Sequence, residues 1–412
     1  MRAVRLCIAA VLTALVSIAC TDTAPQAPMT AEVPTAQPNA MSSGTASTAM
    51  GPGAAGTTLT PLPGPMQPPA LGETPGTPEL AAGEPATNPE PASAAPPHIQ
   101  IVGRQLRVDG EPLLLRGVCW NPVPIGATHP AGLDYAGYVE HDAALMRELG
   151  VNVVRTYEPL LDTEVLDRLA DAGIYVINSV YPWGGSPADV VVERVRAVRN
   201  HPAILMWAVG NEWNYNGLYV GLSHDDSVAR LNEAAALIKA EDSEHPVATI
   251  YGELPDAATL AAMPSIDVWG INAYRGISFG DLFEGWGERS DAPMFVSEYG
   301  ADAYNADLPG YDPESQAEAV AALTREIFEH ASSRSPGGGV SLGGTLFEWA
   351  DEWWKDQAGS LSEQDVGGIA PGGGPYPDQV FNEEWWGIVD IEREERPAFA
   401  ALRDVYADSA GP

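Results

Sequence analysis

The chain is poor in cysteine, in basic residues and, over its first quarter, in aromatics. Its 412 residues include three cysteines. Cys7 lies in an N-terminal apolar run and Cys20 directly follows that run, which leaves Cys119 alone in the remainder, so no intrachain disulfide can form there. A single cysteine inside the apolar stretch 113–120 reads as a small core residue. Lysine and arginine total 21 against 56 aspartates and glutamates, a formal net charge of −35. That balance excludes the basic surface that nucleic-acid phosphates require and disfavours polyanionic substrates, so neutral partners fit better. Residues 1–97 contain no Phe, Tyr or Trp, whereas all eleven tryptophans lie beyond residue 98. A segment without aromatics has little apolar area to offset the entropy of ordering. The core must therefore come from residues 98–412, enough for one large α/β domain.

The apolar run 6–19 is too short to cross a bilayer comfortably. With Arg2 and Arg5 ahead of it and small residues at its end, residues 1–19 fit a secretory signal peptide. Ser17-Ile18-Ala19-Cys20 resembles a bacterial lipobox, with Ser17 where leucine is usual. That resemblance implies lipidation of Cys20 as the first mature residue, a tether without a transmembrane helix. Ordinary secretion is the alternative. Residues 21–97 are rich in Pro, Ala, Gly and Thr, carry no Lys or Arg, and read as a disordered linker. The expected location is the bacterial cell envelope, by way of the lipid anchor, or else outside the cell.

From residue 98 the patterns change. Two short alternating strands flank Asp109-Gly110, a hairpin turn signal. Strand and helix patterns then alternate, with strands expected at 113–118, 152–155, 174–180, 204–209, 247–251, 267–274, 293–298 and 343–349. Ser186-Pro187-Ala188-Asp189 has the form of a capping-box helix start. Eight strand–helix alternations predict a (β/α)8 TIM barrel preceded by a short β-hairpin. The rival, a doubly wound open sheet, would carry a glycine-rich phosphate loop after its first strand, and none is present.

Three strands end in acid: Glu212 follows the fourth, Glu298 closes the seventh, and Glu348 falls within the eighth. Barrel enzymes keep their chemistry at these strand ends. Two carboxylates facing each other there suit glycoside hydrolysis, one protonating the leaving oxygen while the other attacks carbon or activates water. Periodicity alone leaves Glu212 open between that role and a structural salt bridge.

The residues around both acids resemble a known family. Residues 198–212, with Asn200-His201-Pro202, Trp207 and Gly210-Asn211-Glu212, are similar to the fourth-strand signature of glycoside hydrolase family 2. Ser297-Glu298-Tyr299-Gly300-Ala301 is similar to its seventh-strand motif, and the segments 109–117 and 149–155 resemble the approaches to strands one and two. The resemblance covers nearly all of 98–410, and family 5 shares the style of both motifs. It implies a retaining (β/α)8 glycosidase with Glu212 as general acid/base, Glu298 as nucleophile, and no metal or organic cofactor. Arg155 and Tyr274 would keep the nucleophile ionised, Asn211 would bond the sugar 2-hydroxyl, and Trp349 would floor the subsite. Glu348 reads as structural or peripheral. Trp353, Trp354, Trp385 and Trp386 suit either a sugar platform or a cap on the barrel.

Some family features are missing. A linker stands where family 2 enzymes carry β-sandwich domains, their histidine-bearing segments after strands one and two are absent, and so is the Asn-x-Lys triplet of glucuronidases. The expected activity is therefore cleavage of a neutral β-linked oligo- or polysaccharide through a covalent glycosyl-enzyme. The alternatives are a β-glucan or mannan transglycosylase on the same site, and a non-catalytic carbohydrate-binding surface protein.

Overall fold

The computed structural model describes residues 96–335, 337–355, 359–370 and 373–409. The expected signal peptide, Cys20 and the linker up to residue 95 lie outside the described residues.

The chain enters through a small antiparallel sheet of β1 (Ile99–Val102), β2 (Gln105–Val108) and β3 (Glu111–Pro112). The expected hairpin at Asp109-Gly110 is present, with φ of 52° and 87°, the left-handed pair that a tight two-residue turn demands. A second turn at Gly103 adds the third strand that the hairpin reading lacked. Ile99 and Leu106 of this sheet join one buried cluster with barrel-interior side chains such as Leu115, Val153, Val268 and Phe295.

The eight strands that follow close into a parallel barrel. They are β4 (Leu115–Cys119), β5 (Val153–Arg155), β6 (Tyr175–Tyr181), β7 (Ile204–Val209), β8 (Val247–Gly252), β9 (Val268–Asn272) and β10 (Met294–Glu298), then, after a small pair β11 (Tyr304–Asn305) and β12 (Gly310–Tyr311), β13 (Ser341–Leu346). The closed order is β10-β13-β4-β5-β6-β7-β8-β9. The eight expected strands are all there, in the expected order. Strands covered on both faces are apolar without interruption, which is why runs such as 204–209 were legible.

Helices α1 (Tyr135–Leu149), α2 (Thr163–Asp171), α3 (Val190–Val198), α4 (Trp213–Asn216), α5 (His224–Glu241), α6 (Ala257–Ala262), α7 (Leu282–Arg289), α8 (Pro313–Glu329) and α9 (Pro397–Ser409) lie between and after the strands. Side chains at their termini fix where several begin. Asp134, Asp162, Ser223, Asp256 and Asp312 each accept a backbone N–H from the first turn. The expected cap at Ser186 does not form. There α3 starts at Val190 after a turn, and the Ser186 carbonyl instead accepts from the Tyr181 hydroxyl at 2.7 Å. Among the described residues no helix is long and apolar enough to cross a membrane.

Candidate active site

Four barrel strands deliver polar side chains to one mouth. Arg155 closes β5, Asn272 closes β9 and Glu298 closes β10. After β7 ends at Val209, the chain turns through Gly210, at φ 71°, to Asn211 and Glu212. A Cβ at position 210 would lie 2.7 Å from the Trp213 ring, so glycine is required by both backbone and space. Glu212 is itself left-handed, φ 47° and ψ 33°, a conformation non-glycine residues seldom adopt outside functional turns. The Glu212 N–H to Ile250 carbonyl bond, 3.1 Å, and the Asn216 side chain bonding the Asn211 carbonyl at 2.7 Å hold the turn in place.

The Glu298 carboxylate is buried and surrounded by donors. Oε1 accepts from Arg155 Nη1 at 2.7 Å and from the Tyr157 hydroxyl at 2.8 Å, and Oε2 accepts from the Tyr274 hydroxyl at 3.1 Å. The Arg155 bond is charge-assisted and fixes the carboxylate's orientation. Arg155 is fully buried, and its Nη2 also donates to Asn211 Oδ1 at 2.7 Å. The site thereby orients the amide that the sequence placed beside the acid.

Glu212 has the opposite surroundings. Its carboxyl receives one amide donor, Asn272 Nδ2 at 3.1 Å. Burial, followed by the negative charge of Glu298, pushes its pKa up to about 7. Asn272 is in turn oriented by Ser297, whose hydroxyl donates to Asn272 Oδ1 at 2.7 Å. One carboxyl whose pKa is raised by burial and one taken up by three donors open onto the same mouth.

The structure brings Arg155, Asn211, Glu212, Tyr274 and Glu298 together. It does not bring Trp349 with them. Trp349 is buried in the main core and its ring packs against Phe399 of α9, at 6.3 Å between centroids. The expectation failed because β13 ends at Leu346, so strand alternation does not extend to residue 349. Phe347 takes the place beside the site, meeting Tyr157 at 6.3 Å and Tyr274 at 6.4 Å, with Trp386 behind it at 5.3 Å. Cys119 packs in the same buried group, and burial pushes its thiol up to about 12, so it stays protonated. Glu348, read as structural or peripheral, is buried and faces Lys355 at 3.9 Å.

Sequence reasoning missed Tyr157, Asn272, Phe347 and Lys355 as site residues. Tyr157 follows Arg155 by two positions, a spacing that keeps both on one strand face, and that signal was available. Lys355 was not recognisable: its ammonium lies 4.0 Å over the Phe347 ring and 2.8 Å from Glu352, with Glu383 at 3.8 Å. Among the described residues no cluster of His, Cys, Asp and Glu is arranged to hold a metal ion.

Comparison with known proteins bears out the family resemblance. Residues 182–316, which include both glutamates, match the model of the glycosyl hydrolases family 2 TIM barrel domain. A β-glucuronidase of Pongo abelii is 29% identical over 229 residues, 50% of this chain and 33% of that protein. The Homo sapiens β-glucuronidase is 28% identical over a stretch of the same length. The chain thus spans about a third of the length of these relatives. Among solved structures, a β-D-glucuronidase of Dictyoglomus thermophilum superposes with a TM-score of 0.55 at 17% identity, covering 76% of this chain and 53% of the other. A β-galacturonidase of Eisenbergiella tayi gives 0.54 at 19% identity, covering 76% and 54%. At these identities the structural likeness establishes the fold alone, a (β/α)8 barrel.

Proposed function

We propose that this barrel is a retaining glycoside hydrolase acting on neutral β-linked saccharides, with Glu298 as nucleophile and Glu212 as general acid/base. The observation that carries the reading is the contrast between the two carboxyls: burial raises Glu212 to about 7, while Arg155, Tyr157 and Tyr274 all donate to Glu298. In the first step a Glu298 oxygen forms a bond to the anomeric carbon as the glycosidic C–O bond breaks, and the Glu212 proton passes to the leaving oxygen. In the second step Glu212 takes a proton from water, the water oxygen bonds to the anomeric carbon, and the ester to Glu298 breaks. Both groups end as they began. Asn211, held by Arg155, is placed to bond the 2-hydroxyl, an interaction that strengthens in the transition state.

The glucuronidase relatives favour a second reading, in which the glycone carries a carboxylate. A uronate needs a cation to receive it. Arg155 is committed to Glu298, and Lys355 is ion-paired with Glu352 at 2.8 Å and flanked by Glu383 and Glu348. The formal charge of −35 also opposes an anionic substrate. Both features support the neutral glycone.

The test is hydrolysis of a panel of 4-nitrophenyl β-glycosides, neutral and uronic, by wild type, Glu298→Ala and Glu212→Ala. Each variant should lose at least about 10³-fold in kcat on the preferred glycoside, and azide should restore activity to one of them as a β- or α-glycosyl azide product. Wild-type rates in both variants would remove the assignment. Uronide turnover exceeding that of every neutral glycoside would replace the neutral reading with the second one.

A further inference from the structure

On the turns that follow β6 and β7 the fold leaves large aromatic rings in solvent. Trp183, Tyr215 and Tyr219 are 41%, 65% and 55% exposed, while Trp207 and Trp213 on the same stretch of chain are buried. These exposed rings are not on a loose loop. Trp183 precedes Gly184, whose N–H bonds the Leu218 carbonyl at 2.9 Å. Leu218 and Tyr219 both take positive φ, 54° and 59°, which L side chains rarely adopt, and the fully buried Leu218 side chain anchors the turn. That conformation puts the Tyr219 hydroxyl 3.3 Å from Asn211 Nδ2.

Tyr215 is fixed as firmly. Its neighbour Asn214 bonds Gly252, the last residue of β8, twice: Nδ2 donates to the carbonyl and Oδ1 accepts the N–H, each at 2.9 Å. The Tyr215 ring lies so close over Gly252 that a Cβ there would sit 2.1 Å from its Cε2. A ring that needs glycine beneath it, yet stays 65% exposed, is held out for something to cover. The acid/base is where the departing oxygen, and later the incoming one, must come. The apolar faces of pyranose rings pack on exposed aromatic side chains, and polar groups beside them fix orientation.

We propose that Trp183, Tyr215 and Tyr219 form a leaving-group subsite that takes a second pyranose ring of a β-linked saccharide. This rests on the glycosidase reading of Glu212 and Glu298. After the first sugar has departed, the same rings hold an acceptor saccharide. Its hydroxyl oxygen then bonds to the anomeric carbon, its proton passes to Glu212, and the ester to Glu298 breaks, so transfer competes with hydrolysis.

The experiment compares wild type with Trp183→Ala, Tyr215→Ala and the double variant. The substrates are a β-glycosyl fluoride of the preferred glycone, whose leaving group fills no subsite, and β-linked tri- to pentasaccharides of that glycone. Thermal unfolding confirms that each variant is folded. The ratio of kcat/KM on saccharide to that on fluoride should fall by about tenfold or more in the double variant. The fraction of glycosyl-enzyme captured by added saccharide rather than water should fall with it. An unchanged ratio, or equal losses on both substrates, overturns the subsite. Failure of wild type on every fluoride and saccharide would instead sink the glycosidase reading itself.

Discussion

Arg155 joins the two halves of the site: Nη1 lies 2.7 Å from Glu298 Oε1, and Nη2 lies 2.7 Å from Asn211 Oδ1. One fully buried, planar guanidinium thus orients both the Glu298 carboxylate and the amide next to Glu212. A lysine cannot keep two such bonds in a fixed fork. Arg155→Lys should therefore reduce kcat by about 10²-fold, the loss of one to two charged hydrogen bonds. Asn211→Ala should cost less. Steady-state rates on the preferred aryl glycoside, with Tm as a check on folding, decide it; a Lys variant of near wild-type kcat would remove Arg155 from the mechanism.

The raised Glu212 pKa has two consequences. As the acid, Glu212 must hold its proton, so kcat/KM should decline as pH rises through about 7. Stability follows in the same direction. The folded protein keeps this proton up to about pH 7 while the unfolded chain loses it near the ordinary glutamate value of 4.5, so stability declines with rising pH across that window. Glu212→Gln cannot ionise and escapes the loss. Relative to wild type, its unfolding free energy should be higher at pH 8 than at pH 4 by on the order of 1–3 kcal/mol. Denaturant melts at the two pH values measure the difference, and no difference would mean Glu212 titrates normally.

The two tyrosines on Glu298 are not equivalent. Tyr157 shares Oε1 with Arg155, whereas Tyr274 is the one side-chain donor to Oε2 among the described residues. Tyr157→Phe should lower kcat by about tenfold, and Tyr274→Phe by more, up to about 10²-fold. Kinetics of the two conservative variants side by side rank them. The reverse order would show that the oxygen with two donors is the one that matters.

Phe347 and Trp349 should exchange the roles expected from sequence. Trp349→Ala should cost about 3–5 kcal/mol of stability with little change of KM in the folded protein, since its ring fills the core against Phe399. Phe347→Ala should raise KM. Trp349→Phe offers a milder check, because the buried Trp349 Nε1 has no hydrogen-bond partner among the described residues to lose. A raised KM at unchanged Tm in that variant would return Trp349 to the sugar site.

How much of this was legible follows from the kind of signal each feature leaves. Barrel strands are covered on both faces, so they are apolar runs that can be counted, and Glu298 at the end of one and Asn211-Glu212 just past another stand out. Features made by residues far apart leave no such mark. Tyr157 and Glu298 are separated by 141 residues, and Lys355 reaches the site only because the segment after β13 folds over Phe347. The capping reading at Ser186 failed because α3 begins only at Val190, which puts Asp189 and not Ser186 at its N-cap position.

The sequence by itself determined the eight-strand order and the two acids, because period and polarity are local properties of the chain. The resemblance gave the two acids their expected roles, and only the tertiary structure supplied the surroundings that set them apart. Burial, the neighbouring charge of Glu298, and the distances at which three donors close around Glu298 from the ends of β5 and β9 are not specified by spacing along the chain.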